Sequence, residues 1–142
     1  MKNMAENEQK PSILIVEDDK FLLKLLETKL QKEGFDVLLA ENGIQALEVL
    51  KAGPRPTLIL LDLILPKKNG FEVLAEIKAS PETHDIPVLI ISNLGQDTDI
   101  SRGKELGAVE YFVKSDISIN DLVKHIKEYF SRPGGSPRIT PV

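Results

Sequence analysis

The stretch LILLDLILPKKNG, residues 58–70, places one carboxylate, Asp62, inside an otherwise apolar run that stops at a proline and a lysine pair. Burying an unpaired carboxylate among apolar side chains costs several kcal/mol or more. Asp62 must therefore lie at the end of its structural element, be paired with a cationic group, or both. We expect both, and the cation must come from another part of the chain.

Short apolar runs of this kind alternate with longer amphipathic segments along the chain, five of each. The predicted strands are residues 13–16, 36–40, 57–62, 88–92 and 110–114. Four of them are too uniformly apolar to have a solvated face, which is typical of a parallel sheet covered on both sides by helices. Five strand–helix units joined by right-handed crossovers predict a doubly wound α/β fold.

The intervening segments carry apolar residues at helical spacing and residues that begin or end helices. Asn42 can begin the second helix, Gly34 and Gly53 can end the first two, and Ser118 with Asp121 resembles a capping box at the start of the fifth. Residues 100–106 with Gly107 mark a weaker fourth helix. The apolar stripes of the other four helices are predicted to be Phe21, Leu22, Leu25, Leu26 and Leu30; Ile44, Leu47 and Leu50; Phe71, Leu74, Ala75 and Ile77; and Leu122, Val123, Ile126, Tyr129 and Phe130.

The composition favours one globular domain over residues 11–130, with flexible segments at 1–10 and 131–142. Hydrophobic residues make up 42% of the 142 and charged residues 28%, which is ordinary for a soluble protein. The absence of cysteine excludes disulfides and thiolate chemistry and suits a cytoplasmic location. A net charge of -4 without a basic stripe argues against nucleic acid as a partner, and no apolar run is long enough for a membrane span or a signal peptide.

Charged and hydroxyl side chains follow four of the predicted strands. They are Glu17, Asp18 and Asp19 after the first strand, Asp62 at the end of the third, Ser92 at the end of the fourth and Lys114 at the end of the fifth. Ligands of open parallel sheets bind beyond these strand ends. Carboxylates about 5 Å apart repel by about 3 kcal/mol per pair at an effective dielectric of 20, so the acidic cluster needs a cation. Oxygen ligands favour Mg²⁺, and an aspartate beside a metal and an ammonium can attack phosphorus.

The motifs ILIVEDD, LLDLILPKKNG, LIISN and YFVKS, in this order at these strand ends, resemble the receiver domain of two-component response regulators. The resemblance covers about residues 11–130 and implies a flavodoxin-like sheet of order 2-1-3-4-5. It implies that Asp62 accepts a phosphoryl group from a histidine kinase or a histidine phosphotransfer protein. It also implies that the protein is a switch with at most weak self-phosphorylation and self-dephosphorylation, rather than an enzyme.

The same resemblance implies roles for individual residues. Mg²⁺ is bound by Asp18 directly, by Glu17 through water, by Asp62 and by the backbone carbonyl of Ile64, whereas Asp19 is not a ligand. Ser92 and Lys114 contact the phosphoryl group. Ser92 is coupled to Tyr111, so that the face of the fourth helix, fifth strand and fifth helix binds an unknown downstream protein. Because no output segment follows residue 130, a stand-alone regulator is expected.

Departures from the family pattern concern two places. Ser115 stands where proline usually follows the lysine, and a trans peptide is expected there because a cis bond before serine costs about 2.5–4 kcal/mol. Ile64 and Leu94 stand where side chains of the family influence the hydrolytic water. Neither can form a hydrogen bond to it, so slow self-dephosphorylation is predicted.

Simpler interpretations remain open for each residue. Asp62 and Ser92 can be turn formers, the acidic cluster can compensate a helix dipole, Lys114 can be a solvated lysine and Tyr111 an edge-strand aromatic. Two other functions also remain open. An aspartate-nucleophile phosphatase would typically need a second aspartate at position 64, which is isoleucine here. A degenerate receiver would bind partners without being phosphorylated.

Overall fold

Five parallel strands with five helices between and after them make up the described part of the chain, which is residues 10–131 of a computed structural model. The strands are β1 (Ser12–Val16), β2 (Asp36–Ala40), β3 (Leu58–Leu61), β4 (Val88–Ser92) and β5 (Glu110–Val113). The helices are α1 (Lys20–Lys32), α2 (Gly43–Ala52), α3 (Gly70–Ala79), α4 (Asp97–Glu105) and α5 (Ile119–Phe130). Each strand lies within one residue of its predicted bounds. The flexibility expected for the two ends concerns residues 1–9 and 132–142, which lie outside the described residues.

The sheet has the strand order β2-β1-β3-β4-β5, and every pair in it is parallel. The predicted fold class and strand order are therefore confirmed. β3 and β4 are buried along their whole length, whereas the edge strands β2 and β5 are mostly half-buried. This difference follows from position, because an edge strand has a neighbour on one side only.

Two apolar cores lie on opposite faces of the sheet, since successive strand side chains point to opposite faces. Ile13 and Ile15 of β1 pack in the core that contains α1 and α5, and Leu14 and Val16 pack in the core that contains α2 and α3. α4 lies on the α2 and α3 side, where a Cβ at Gly103 would approach Ile90 to 2.7 Å. Within residues 10–131, no helix is long and apolar enough to cross a membrane.

Three residues that the helical pattern assigned to the core are exposed instead. Phe21 is 79% exposed and Ile44 is 40% exposed, and Ala75 is also exposed. The buried positions of these helices are Leu23, Leu26 and Leu30 in α1, Gly43 and Ala46 in α2, and Gly70, Phe71, Val73, Leu74 and Ile77 in α3. Phe21 and Ile44 each stand two positions before a buried residue, Leu23 and Ala46, which is about 200° around a helix and hence on the far side from it.

The starts of α1, α2, α3 and α5 are capped by polar side chains that precede them. Asp19, Asn42, Asn69 and Ser118 each accept a hydrogen bond from a backbone amide of the first turn. Such caps satisfy amides that have no partner within the helix. Because the sheet is parallel and each helix follows a strand, all these helices begin at the same edge of the sheet, the one at which the strands end.

Candidate functional site

Pairing of β1 with β3 brings two acidic residues side by side at the carboxyl ends of the strands. Val16 pairs with Leu61, and the Asp62 amide donates to the Val16 carbonyl at 3.0 Å. Glu17 and Asp62 follow these paired residues directly, and they are only 1% and 3% exposed. Two carboxylates are therefore buried next to each other, which requires a cation nearby.

Lys114, just after β5, supplies that cation. Its ammonium lies 2.8 Å from Asp62 Oδ2 and 2.8 Å from Glu17 Oε1. The contact with Asp62 is a hydrogen bond. The contact with Glu17 is an ion pair that is not a hydrogen bond, so Glu17 Oε1 has no hydrogen-bond partner within residues 10–131. Burial alone would lower the pKa of Lys114, but the two carboxylates raise it above its ordinary value. The ammonium is thus charged at neutral pH.

The surroundings of Glu17 disfavour the charged form of its carboxyl group, so its pKa is above the ordinary value. Burial raises the pKa of Glu17, and the opposing effects of the Lys114 ammonium and of the Asp19 amide do not cancel that rise. The Asp19 amide donates to Glu17 Oε2 at 3.0 Å, which leaves Oε1 as the oxygen without a hydrogen bond. A buried carboxylate oxygen in this situation is suited to a further cation or water.

A metal-binding arrangement of oxygens is present at this place. One carboxylate oxygen from each of Glu17, Asp18 and Asp62 lies within 4.8 Å of the others, and Asp18 is exposed. Among the described residues, Lys114 is the one cation that pairs with this group of three carboxylates, so negative charge is in excess, and Glu17 Oε1 has an ion pair but no hydrogen bond. Hard oxygen donors of this kind suit Mg²⁺ or Mn²⁺. The residues present therefore fit a divalent cation.

Asp19 is placed differently from its two acidic neighbours. Its Oδ1 accepts the Phe21 amide at 3.0 Å and the Leu22 amide at 3.2 Å, so it caps α1. The helix-cap interpretation that was open for the whole acidic cluster thus describes this one residue. Asp19 contributes no oxygen to the group formed by Glu17, Asp18 and Asp62.

Ile64 lies in the loop that follows Asp62. Its backbone amide donates to Asp62 Oδ1 at 3.1 Å, and its side chain is 51% exposed. Together with Lys114 on Oδ2, this amide gives each oxygen of the Asp62 carboxylate a fixed donor. The carboxylate is consequently held in one orientation.

Ser92 and Tyr111 are connected through the backbone of Leu94. Ser92 is fully buried, and its Oγ accepts the Leu94 amide at 3.3 Å. The Tyr111 hydroxyl donates to the Leu94 carbonyl at 2.5 Å, while its ring lies against Gly103 of α4. Burial raises the pKa of Tyr111, and the carboxylates of Asp99 and Asp62 add to that effect. The loop after β4 thus joins the hydroxyl at the site to α4 and β5.

The sequence pointed to Leu94 only for its side chain and missed this backbone connection. It also missed Gly43 and Gly70, where a Cβ would lie 1.9 Å from the Lys68 carbonyl oxygen and 2.3 Å from the Asp62 carbonyl oxygen. The one local signal for these glycines is their position directly after the helix caps Asn42 and Asn69. The Lys114–Ser115 peptide is trans, as expected.

Comparison with known proteins gives the family. The family model of the response regulator receiver domain matches residues 13–127. This chain belongs to the response regulator receiver domain family.

Curated and solved members of the family show how much of each protein the match covers. The transcriptional regulatory protein CpxR of Escherichia coli (strain K12) is 40% identical over 120 residues, which are 84% of this chain and 49% of CpxR. The chain therefore spans about half the length of such curated relatives. The Mn²⁺-bound response regulator Rcp1 is 33% identical with a TM-score of 0.75, covering 92% of this chain and 99% of that one. The phosphorylated cyanobacterial phytochrome response regulator RcpA is 34% identical with the same TM-score, covering 86% and 92%.

Membership of the receiver family fixes the general class of activity. Receiver domains are phosphoacceptor switches of two-component systems rather than enzymes in the usual sense, and they interact with histidine kinases and phosphotransfer proteins. In this receiver domain, the acidic group of Glu17, Asp18 and Asp62 could hold a metal ion. The phosphatase alternative is overturned by the family match.

Proposed function

We propose that this receiver domain accepts a phosphoryl group on Asp62, in the presence of Mg²⁺, from a histidine kinase or a histidine phosphotransfer protein in the cytoplasm. The observation that carries the proposal is the environment of the Asp62 carboxylate. It is buried, it is held by the Ile64 amide on one oxygen and by the Lys114 ammonium on the other, and two further carboxylates lie beside it. A buried aspartate without a chemical role would not need such an accumulation of charge.

The orientation of Asp62 supports its role as the nucleophile. A carboxylate oxygen forms a bond to phosphorus while the bond from phosphorus to the donor histidine nitrogen breaks, and the histidine leaves with the electron pair of that bond. Two fixed donors reduce the number of orientations that the carboxylate must sample before attack. The Lys114 ammonium, already 2.8 Å from Asp62 Oδ2, neutralises part of the charge on the phosphoryl oxygens.

Glu17, Asp18, Asp62 and the Ile64 carbonyl are the proposed protein ligands of Mg²⁺. When bound, the ion would supply positive charge beside the transferred phosphoryl group. Among the described acids near the site, Asp18 is exposed and free of any ion pair, which makes it the most accessible ligand. The Mn²⁺-bound form of the relative Rcp1 supports a divalent cation in this family.

Ser92 and Tyr111 form the proposed switch. The Ser92 hydroxyl can donate to a phosphoryl oxygen, but its oxygen now accepts the Leu94 amide. A turn of Ser92 toward the phosphoryl group would weaken that bond and move the loop whose carbonyl holds Tyr111. The change would thereby reach α4 and β5 and bias two states of the face formed by α4, β5 and α5.

We further propose that this domain signals by binding a protein target through that face and does not itself contact nucleic acid or membrane. The net charge of the whole chain, -4, would repel a phosphate backbone. The name of the relative CpxR describes a transcriptional regulatory protein, but this chain covers 49% of it. The stand-alone arrangement expected from the sequence stays a prediction, because the chain spans about half the length of such relatives.

The test is phosphorylation of the intact chain by acetyl phosphate with Mg²⁺, followed by intact-mass measurement. We expect one phosphoryl adduct on the unaltered chain and none on Asp62→Asn, with Asp19→Asn as a control that keeps an oxygen for capping α1. Full labelling of Asp62→Asn would refute the assignment. An unlabelled wild-type chain would favour a degenerate receiver.

A further inference from the structure

The loop of residues 63–69, which joins Asp62 to α3, is fixed at its far end. The Gly70 amide donates to the Leu63 carbonyl at 2.9 Å, and a Cβ at Gly70 would lie 2.3 Å from the Asp62 carbonyl oxygen. Asn69 and Glu72 form a reciprocal capping box at the start of α3. The loop is therefore short and closed, and a shift in its middle has few ways to be absorbed.

α2 contacts the middle of the same loop, although no step of the phosphoryl chemistry involves this helix. The Gly43 amide donates to the Pro66 carbonyl at 3.4 Å. A Cβ at Gly43 would lie 1.9 Å from the Lys68 carbonyl oxygen and 2.8 Å from its carbonyl carbon. Because such contacts below 3.0 Å essentially never occur, any side chain at position 43 must move the loop and the start of α2 apart by about 1 Å or more.

The loop also holds a backbone conformation that it would not adopt alone. Lys67 has a φ of 71°, in the left-handed region that residues other than glycine, asparagine and aspartate rarely adopt. Such conformations persist where the surroundings hold them, and they cluster at functional sites. Here the surroundings are the first turn of α2 on one side and α3 on the other, where the Lys68 ammonium pairs with Glu76.

The position of this loop matters to the proposed metal site because Ile64 belongs to it. The Ile64 amide holds Asp62 Oδ1 at 3.1 Å, and the Ile64 carbonyl is a proposed ligand. Metal and catalytic groups must be held within about 0.5 Å of their working positions. A displacement of the size that a Cβ at Gly43 requires exceeds this tolerance.

We propose that Gly43 is a positioning residue for the metal site: by letting α2 approach the backbone at Lys68, it holds the loop so that Ile64 and Asp62 are placed to bind Mg²⁺. This inference rests on the proposed function. It gives α2 a role in the affinity of the site, separate from its role in the core. The simpler alternative is that Gly43 serves only packing and stability.

Gly34 provides a control that separates these two roles. It has a φ of +97°, and a Cβ there would meet nothing within 4 Å. Gly34→Ala therefore strains the backbone at the end of α1, far along the chain from the loop, without touching it. Both alanine variants should destabilise the fold, but only Gly43→Ala should change the metal site.

The experiment uses the full chain without a phosphoryl donor. Mg²⁺ affinity is measured by calorimetry, and the free energy of unfolding is measured separately by urea denaturation with a chelator. We expect Gly43→Ala to weaken Mg²⁺ binding by about tenfold, as replacement of residues that orient metal ligands does. Gly34→Ala should bind Mg²⁺ within about twofold of the unaltered chain, because it leaves the ligands in place.

Asn42→Ala is a second variant that tests the same inference if Gly43→Ala does not fold. Asn42 Oδ1 accepts the Gln45 amide at 2.8 Å, so its loss loosens the first turn of α2 without introducing a clash. It should weaken Mg²⁺ binding by about threefold, a smaller loss than outright displacement of the loop.

Three results would overturn the inference. The first is a Mg²⁺ affinity of folded Gly43→Ala that equals the affinity of the unaltered chain. If Gly43→Ala does not fold, the same result with Asn42→Ala counts instead. The second is an equal loss of affinity in Gly34→Ala. The third is an unaltered chain that fails to bind Mg²⁺ at all, and this outcome alone would also overturn the proposed function.

Discussion

Replacement of Lys114 by methionine tests the electrostatics of the site most directly. Methionine keeps most of the length of the side chain and removes the ammonium that lies 2.8 Å from both Glu17 and Asp62. Within residues 10–131, no other lysine or arginine pairs with either carboxylate. The variant therefore leaves two buried acids without a cation, each with one backbone amide donor.

The expected cost follows from the geometry. Carboxylate oxygens within 4.8 Å of each other repel by about 3 kcal/mol or more at an effective dielectric of 20. Breaking a buried ion pair by removing one partner costs about 3–5 kcal/mol in general. Because burial already raises the pKa of Glu17, this acid can take up a proton and relieve part of the repulsion. We therefore expect a cost at the lower end of this range. The free energy of unfolding should fall by about 3 kcal/mol, out of a total of about 5–15 kcal/mol.

Urea denaturation at neutral pH in the presence of a chelator measures this loss. Lys127→Met is the matched control, because Lys127 forms an exposed ion pair of 2.8 Å with Glu33 and such pairs contribute about 0–1 kcal/mol. In an Asp62→Asn background the cost of Lys114→Met should fall by about 2 kcal/mol, since one of the two repelling charges is gone. A Lys114→Met variant no less stable than Lys127→Met would refute this reasoning.

Three further outcomes are expected. Asp18→Asn should lose most Mg²⁺ affinity in calorimetry while Asp19→Asn keeps it, because asparagine can still cap α1; equal losses would remove the distinction between the two acids. The Ile64→Asn, Leu94→Glu double variant should release phosphate from its purified adduct faster than the unaltered chain, since it offers polar partners to the hydrolytic water; an equal rate would mean that these side chains do not set the lifetime. Beryllofluoride with Mg²⁺ should shift backbone amide NMR signals across residues 98–128, and shifts confined to the metal and phosphoryl contacts would contradict the proposed switch.

The sheet and the strand-end residues were predictable because they depend on patterns that are local in sequence. A uniformly apolar strand between two helices is typical of a parallel sheet that is covered on both faces. Once the strands are parallel, their carboxyl ends lie along one edge, so Glu17, Asp62 and Lys114 were expected at the same edge. Their distances along the chain did not matter to that conclusion. β4 lies between β3 and β5, so the contact of Lys114 with the two acids was visible only in the structure.

Helix faces were predicted less well, and the reason is specific. The pattern gave weight to large apolar residues, so it chose Phe21 and Ile44. The residues that pack into the cores against the sheet include Leu23 and Ala46 instead. Large apolar side chains left over at the surface are ordinary in proteins, so size alone does not identify the buried face.

Backbone contacts were beyond the reach of the sequence. The bond from Tyr111 to the Leu94 carbonyl and the approach of Gly43 to Lys68 depend on distances between segments that are far apart in sequence. A glycine in a sequence signals that a side chain is missing but does not say what occupies the space. Only the three-dimensional arrangement shows that, at position 43, the loop that follows Asp62 occupies this space.

The electrostatic arrangement explains why a site of this kind can act as a switch. Three carboxylates with one ammonium leave the pocket short of positive charge, and Glu17 Oε1 lacks a hydrogen bond in the described structure. A fold selected for stability alone would replace such a group with apolar residues, since that exchange is often neutral or stabilising. Keeping it means that a cation can stabilise the domain by relieving the repulsion. In the proposed switch, the phosphoryl group would contact Lys114 and Ser92, and the Leu94 backbone, which is bonded to both Ser92 and Tyr111, would carry a movement of Ser92 to Tyr111.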